Sequence, residues 1–162
     1  MMIEFFVSGD PMSMFGEGKW FSIKDGDPRG RWMVNRHYSA RHYKDGRKPK
    51  LFVGPGEKRV LMTTDGMALF VWRKFKDDSG QVGVNCSVFR NEGPYLSSEL
   101  ILEAEELAWN KWPDERLYTY VNPKSIRSIN PGYCFKMAGW VQCGITRGGL
   151  VILEKLPAAR RG

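Results

Sequence analysis

Apolar side chains follow a regular spacing only from residue 60 onward. Residues 60–75 (VLMTTDGMALFVWRKF) hold two apolar runs separated by Thr-Asp-Gly. Asp65-Gly66 is a strong hairpin signal because glycine accepts the positive φ that tight turns need. A second turn at 77–80 precedes a strand at 82–91, so we expect an antiparallel meander of three strands. Upstream, residues 3–7 (IEFFV) predict a first strand, and the Gly-, Pro- and Arg-rich stretch that follows predicts loops with at most a short helix.

The period changes to that of a helix after residue 94. Glutamates lie off a stripe of five apolar residues. The apolar residues recur at helical spacing: Leu100, Ile101, Ala104, Leu107 and Ala108. Ser97 or Ser98 is predicted to cap the helix, and Pro113 to end it. Residues 116–123 (RLYTYVNP) predict a strand, 131–140 (PGYCFKMAGW) a short helix, and 141–156 a hairpin turning at 147–149. The predicted class is α+β, with a mixed, mostly antiparallel sheet flanked by helices.

Length and cysteine content favour one intracellular domain. The chain has 162 residues, which predicts a single domain over 1–157 and a disordered basic tail at 158–162. No apolar run approaches the roughly 18 residues of a membrane span, and the N-terminus lacks a secretory pattern. The three cysteines are an odd number without CxxC spacing, so we expect neither a disulfide framework nor a structural zinc site. A reducing cytoplasm is the predicted location.

Positive charge is concentrated in one segment. Residues 29–50, which are predicted to be loop-rich, hold eight basic residues and one acid, Asp45, and this segment accounts for the whole net charge of +7. Trp32, Tyr38 and Tyr43 are interleaved with the basic residues, a pattern typical of a surface for a polyanion, although a solvated loop is the alternative. The predicted duplex DNA contacts are Arg36, Arg41, Lys44, Arg47, Lys48 and Lys50.

The two histidines, His37 and His42, lie in the same basic segment. Cationic neighbours should lower a histidine pKa and favour the neutral imidazole, which suits a general base or a metal ligand. The alternative for each is a DNA-facing donor or a packing residue. No triad of two histidines and a carboxylate is evident, so any metal site remains unassigned.

The segment between the third meander strand and the long helix resembles the phosphate loop of the GNAT family of N-acyltransferases. That family carries Arg/Gln-x-x-Gly-x-Gly/Ala there, and helix-start N–H groups hold the coenzyme A pyrophosphate. Residues 89–98 (FRNEGPYLSS) match this pattern at Arg90 and Gly93. Tyr95 stands where the family has a small residue, and Pro94 has no backbone N–H to donate. The resemblance implies a sheet splayed between strands four and five, and a donor held by Arg90, Asn91, Gly93 and Ser97.

A second stretch, 130–140 (NPGYCFKMAGW), resembles the family's passage from strand five into the next helix, which typically ends Tyr-x-x-x-Gly-Phe. Gly139 and Trp140 match its end. The tyrosine that often protonates the leaving thiolate falls on Phe135, which has no proton to donate. Tyr133 is the nearest phenol, and it is either a displaced acid or an ordinary half-buried aromatic.

The chain also resembles the Mom-type DNA-modification proteins of bacteriophages. The shared runs are 36–39 (RHYS), 89–92 (FRNE), 96–100 (LSSEL) and 130–133 (NPGY), and the likeness spans residues 30–153. That family converts adenine in phage DNA to an N6-carbamoylmethyl form that resists host restriction. The resemblance therefore implies acetyl-CoA or a related acyl donor and duplex DNA as partners. The product joins nitrogen to a CH2 carbon, so simple acyl transfer does not make it, and a redox metal is one means of activating that carbon.

Three functions remain open at this point. The first is modification of a flipped adenine, because N6 inside the stack is out of reach. The second is an ordinary N-acetyltransferase of a small amine or protein, and the third is a non-catalytic DNA-binding anti-defence protein. The first assigns catalysis to His37, Tyr38, Ser98 and Tyr133. The oligomeric state is left open, with a homodimer among the alternatives.

Overall fold

The computed structural model describes residues 18–36, 49–124 and 132–158. Within these ranges, one mixed sheet of seven strands runs in the order β1-β2-β3-β4-β5-β7-β6. The strands are β1 Trp20–Ile23, β2 Glu57–Thr63, β3 Ala68–Lys74, β4 Val84–Asn91, β5 Leu117–Val121, β6 Val141–Ile145 and β7 Val151–Lys155. The helices are α1 Pro28–Asn35, α2 Ser97–Lys111 and α3 Tyr133–Met137. The α+β class with a mixed, mostly antiparallel sheet is therefore confirmed.

The predicted meander is present as β2, β3 and β4, each antiparallel to the next. Gly66 has φ 71° and donates its N–H to the carbonyl of Thr63, as expected for a hairpin turn. The closing hairpin is β6 and β7, and the predicted second turn is fixed by the hydrogen bond from the Gly80 N–H to the Asp77 carbonyl. The periodic part of the sequence therefore forms the predicted elements.

The loop prediction for the region before residue 50 was wrong in part. The expected strand at 3–7 lies outside the described residues. β1, at Trp20–Ile23, was not predicted, and it pairs with β2 to form one edge of the sheet. Trp20 and Phe21 are both buried, on opposite faces of the strand, so β1 lacks the alternation that marks a half-exposed strand. The short helix that the prediction allowed is α1, which contains the first residues of the segment 29–50 and is capped by the Asp27 side chain.

Two apolar cores cover the two faces of the sheet. The larger core joins the sheet to α2 and α3 through large aromatic residues: Trp20, Phe70, Trp72, Phe135 and Trp140. The smaller core places Met33 of α1 against the opposite face. The sheet is therefore the middle of three layers. No helix in the described ranges has both the length and the apolar character needed to cross a membrane.

Candidate functional site

A wedge between strands β4 and β5

β4 and β5 are the two adjacent parallel strands, and they pair over a short length. Their register includes Val84 opposite Leu117 and ends with Cys86 opposite Thr119. β4 continues past this point to Asn91, while β5 continues to Val121 in contact with β7. The β4–β3 register shifts at this same place, between Val71 and Trp72, which is the sign of a β-bulge. The pairing of β4 with β5 therefore ends at Cys86 and Thr119, and the region between residues 87–91 and 120–121 is called the wedge.

The two helices of the larger core begin near the mouth of this wedge. α2 follows the carboxyl end of β4 after a short loop, and α3 begins at Tyr133 beside the end of β5. Gly132 has φ 77°, and a Cβ at this glycine would lie 2.4 Å from a methyl of Leu153 and 3.5 Å from one of Val121. Glycine is therefore required for both the backbone conformation and the close approach of α3 to the sheet.

Four half-buried side chains from the segments around the wedge pack against the larger core: Phe89, Tyr95, Cys134 and Val151. The ring of Phe135 lies 5.9 Å from that of Phe89 and 4.8 Å from that of Trp140, and its side chain is buried. Phe135, at the position of the family's acid, thus has a packing role. Tyr133 is 55% exposed at the start of α3, so its phenol is accessible to solvent.

Thr119, Cys86 and Cys134 lie close together where the pairing of β4 with β5 ends. The hydroxyl of Thr119 donates to the Cys86 carbonyl over 2.9 Å, at the last pair of the β4–β5 register. Burial raises the pKa of the Cys86 thiol far above its usual range, and burial also raises that of Cys134. Both thiols are therefore protonated at neutral pH and are poor nucleophiles. No sequence pattern marks these residues, because Cys86 and Thr119 meet only when two distant strands pair.

The loop before helix α2

The side chain of Asn91 closes the loop between β4 and α2. Its amide nitrogen donates to the Tyr95 carbonyl over 2.8 Å and to the Ser97 hydroxyl over 2.9 Å, and its oxygen accepts from the Gly93 N–H over 3.0 Å. Asn91, Gly93 and Ser97, three of the predicted donor-binding residues, therefore form one hydrogen-bonded unit. The role that the structure gives to Asn91 is that of fixing the loop.

The predicted N-cap of α2 was wrong. The capping residue is Leu96, which has no side-chain hydrogen bond to the helix, while Ser97 and Ser98 lie in the first turn. The Ser97 hydroxyl is engaged by Asn91, which explains why it does not cap. Leu96 is 62% exposed. The N–H groups of the first turn of α2 donate no hydrogen bond to the side chain of its N-cap residue, and Glu99 is an acid in that turn.

Arg36 and Arg90 meet at Glu92, although they are far apart in sequence. Arg36 lies 2.7 Å from one carboxylate oxygen of Glu92, and the Nε of Arg90 donates to the other over 3.1 Å. Arg90 also donates to the backbone carbonyl of Arg36 over 2.8 Å, and the Arg36 guanidinium lies 4.2 Å from the ring centroid of Trp32. Arg36, predicted to contact DNA, and Arg90, predicted to bind the acyl donor, thus lie together at the end of α1.

Residues outside the site, and comparisons

A separate polar cluster fastens β5 to the turn between β3 and β4. The hydroxyls of Tyr118 and Tyr120 both donate to one oxygen of Asp77 over 2.7 Å, and Ser79 is bonded to Tyr120. Burial and the neighbouring carboxylate raise the pKa of Tyr120 to about 12. Burial opposes ionisation of Asp77, but the hydrogen bonds from its partners hold its pKa below the usual range. This cluster fixes the β5 side of the wedge.

Six predicted site residues lie outside the described ranges: His37, Tyr38, Arg41, Lys44, Arg47 and Lys48. The predicted approach of His37 to Tyr133 therefore stays a prediction. Lys50 is exposed and Ser98 is half-buried. Among the described residues, no group of three histidine, cysteine or carboxylate side chains is placed to hold a metal ion.

Comparisons with protein-family models, with curated proteins and with solved structures give no match for this chain.

Proposed function

We propose that this protein is a GNAT-like transferase that modifies the N6 amine of adenine in phage DNA, using acetyl-CoA or a related acyl donor. The observation that supports the proposal is that the pairing of the parallel strands β4 and β5 ends at Cys86 and Thr119, although both strands continue. Ligands of sheets with parallel strands bind outside the carboxyl ends of those strands. Here α2 and α3 begin at these ends, which supports a ligand site in the wedge.

The wedge residues fit a donor that is extended, amide-containing and phosphorylated. The edge of β4 beyond Cys86 offers backbone groups that an extended ligand can pair with, as a peptide pairs with the edge of a sheet. The first turn of α2 offers N–H groups without a side-chain cap, which suits a pyrophosphate. Phe89, Tyr95 and Cys134 supply apolar surface between the edge of β4 and the first turn of α2. When bound, the donor supplies an acyl group activated as a thioester.

The Arg36–Glu92–Arg90 contact supports delivery of DNA to the same place. The basic segment continues from Arg36, and Arg36 is held to the loop that precedes α2. Phosphate groups bound by that segment would therefore lie beside the wedge. A flipped adenine could then reach the donor without a large movement of the domain.

In this proposal His37 and Tyr133 handle protons. The lone pair of adenine N6 is delocalised into the ring, so a positioned base should increase the rate by about 10²–10⁴-fold. We assign that role to His37, which Tyr38 follows in the sequence. The exposed phenol of Tyr133 and the hydroxyl of Ser98 are assigned to the side of the site that faces the acyl donor. The carbamoylmethyl product of the Mom-type family needs carbon activation beyond acyl transfer, for which a redox metal would have to be recruited.

The proposal is tested by mass spectrometry of nucleosides from plasmid DNA after expression of the protein in a bacterium. A modified deoxyadenosine that is present with the wild-type chain, and lost with His37→Ala and Tyr133→Phe, is the expected result. The mass of the product separates an N6-acetyl from a carbamoylmethyl group. Unmodified nucleosides from cells that contain folded wild-type protein would refute the activity.

A second candidate is a DNA-binding protein without catalytic activity. Two observations favour it: Phe135 is buried where the family has an acid, and the guanidinium of Arg90 is already paired with Glu92. This candidate predicts duplex binding by the purified protein together with unmodified nucleosides. An ordinary N-acetyltransferase predicts the reverse, with acetyl-CoA turnover on amines and no duplex binding.

A further inference from the structure

An open groove of about 320 Å³ lies at the β1–β2 edge of the sheet, away from the wedge. β1 and β2 form its floor and Lys111, at the end of α2, borders it. Its lining residues are Ser22, Ile23, Lys24, Asp25, Lys58, Arg59, Val60 and Lys111. Four of these are cations and one is an acid, so the groove is strongly basic.

The single acid is already engaged. One oxygen of Asp25 accepts the N–H groups of Phe52 and Val53 over 2.7 and 3.1 Å. The other lies 3.5 Å from the Lys58 ammonium group, so the charges of this pair offset each other, while this buried oxygen accepts no hydrogen bond within the described residues. The remaining charge of the groove comes from Lys24, Arg59 and Lys111.

Two of these cations, Lys24 and Arg59, line the groove where β1 ends. The pairing of β1 with β2 ends with Ile23 opposite Val60, and Lys24 and Arg59 flank this last pair. The Nε of Arg59 is buried and, within the described residues, has no hydrogen-bond partner. A buried donor without an acceptor indicates a ligand or water at that point.

We propose that this groove binds a phosphate of the duplex DNA backbone, as a contact surface additional to the basic segment 29–50. The inference rests on the proposed function, because it takes DNA as the partner. Lys24, Lys111, Ser22 and the Arg59 Nε offer hydrogen-bond donors, and a phosphodiester is a hydrogen-bond acceptor with one negative charge. The groove is open along the sheet edge, which suits a long polymer better than a small ligand that needs enclosure.

Lys50 connects the groove with the basic segment. A Cβ on Gly26, the residue after Asp25, would lie 3.5 Å from the Cγ of Lys50, which is itself exposed. Lys50, the last residue of the segment 29–50, therefore lies beside Gly26 and next to the groove residue Asp25.

The test compares two double variants in duplex-binding titrations at several salt concentrations. Lys24→Gln with Lys111→Gln removes two exposed cations from the groove, and Lys124→Gln with Arg147→Gln removes two exposed cations elsewhere. Arg59 stays intact because it is half-buried. Each lost phosphate contact reduces the slope of log K against log salt by about 0.9, so the groove variant should lose about 0.9 units of slope and the control none. Equal slopes for wild type and the groove variant would overturn the inference about the groove and leave the proposed function standing.

A second readout uses the Arg59 Nε–H signal in nitrogen–proton correlation spectra. A short duplex should shift this signal, and inorganic phosphate at the same ionic strength should shift it less. A shift with inorganic phosphate but not with the duplex would replace the inference by a site for a small phosphate ligand. A wild-type protein that binds no duplex would overturn the proposed function as well, which distinguishes the two failures.

Discussion

Glu105 is the most deeply buried carboxylate among the described residues. Its side chain is 2% exposed, with the Lys155 ammonium group at 2.7 Å and the Trp140 indole N–H at 2.8 Å. Lys155 also donates to the Ala138 carbonyl over 2.6 Å, so this network joins α2, the end of α3 and β7. Burial raises the pKa of Glu105, and the hydrogen bonds from Lys155 and Trp140 offset only part of that effect.

Lys155→Met should destabilise the fold by about 3 kcal/mol at pH 7, because it leaves a buried carboxylate without its cation. The folded-state pKa of Glu105 lies above the unfolded value, and the variant raises it further. The stability that depends on the protonated form is therefore present at low pH and lost as pH rises through the folded pKa. Urea unfolding should show a smaller deficit at pH 5 than at pH 7.

The matched control for this prediction is Lys74→Met. Lys74 and Glu115 form an ion pair of 2.6 Å in which both side chains are about one-third exposed. Exposed pairs contribute about 0–1 kcal/mol, so the control should lose little at either pH. Equal losses for the two variants, or a deficit for Lys155→Met that does not change with pH, would contradict the role assigned to Glu105.

Arg90→Ala should weaken acetyl-CoA binding by about tenfold, the size expected when one charge-assisted hydrogen bond is lost. The prediction assumes that Arg90 exchanges Glu92 for a phosphate when the donor binds. Glu92→Gln releases the guanidinium from its carboxylate and should therefore bind the donor at least as tightly as wild type. Calorimetric titration measures both. If Glu92→Gln weakens binding as much as Arg90→Ala, the arginine acts only by holding the loop.

At the scale of elements, the spacing of apolar residues predicted most of the helices and strands after residue 60. The meander, α2, β5, α3 and the closing hairpin all appear where apolar spacing and turn residues indicated them. β1 was not predicted, because both of its faces are covered and it therefore lacks the alternation of apolar and polar residues that marks a half-exposed strand. The α2 cap was misplaced because the choice between neighbouring residues depends on Asn91, which competes for the Ser97 hydroxyl.

The missing cap gives a prediction for α2 as a whole. Leu96→Ser should stabilise the protein by about 1 kcal/mol, because serine can accept an N–H of the first turn. Leu96→Asp should stabilise it similarly and, if the start of α2 is the phosphate site proposed above, should also weaken acetyl-CoA binding, since its carboxylate would repel the phosphate. Thermal unfolding and calorimetry separate the two effects. Unchanged donor affinity in Leu96→Asp would mean that the start of α2 is not the phosphate site.

At the scale of the whole molecule, the candidate site depends on contacts that a sequence pattern does not contain. Arg36 reaches Glu92 across α1 and β4, and Cys86 meets Thr119 only through the pairing of β4 and β5. Phe135 could be recognised as unable to act as an acid, but its place in the aromatic core follows from the tertiary structure. Residue chemistry can thus be assigned from the sequence, whereas which residues share a site needs the packed sheet.

Duplex binding by the whole protein should depend steeply on salt. If the basic segment neutralises about six phosphates, log K should fall by about 0.9 per phosphate for each unit of log salt, because condensed counterions are released on binding. Replacing Arg41, Lys44 and Arg47 together by alanine should reduce that slope by about half and lower the affinity for every sequence alike, since phosphate contacts carry no base information. Fluorescence anisotropy with two unrelated duplexes, from low to physiological salt, measures both effects. A shallow slope for the wild-type chain, or an unchanged slope in the triple variant, would mean that the positive charge of residues 29–50 only keeps the segment solvated.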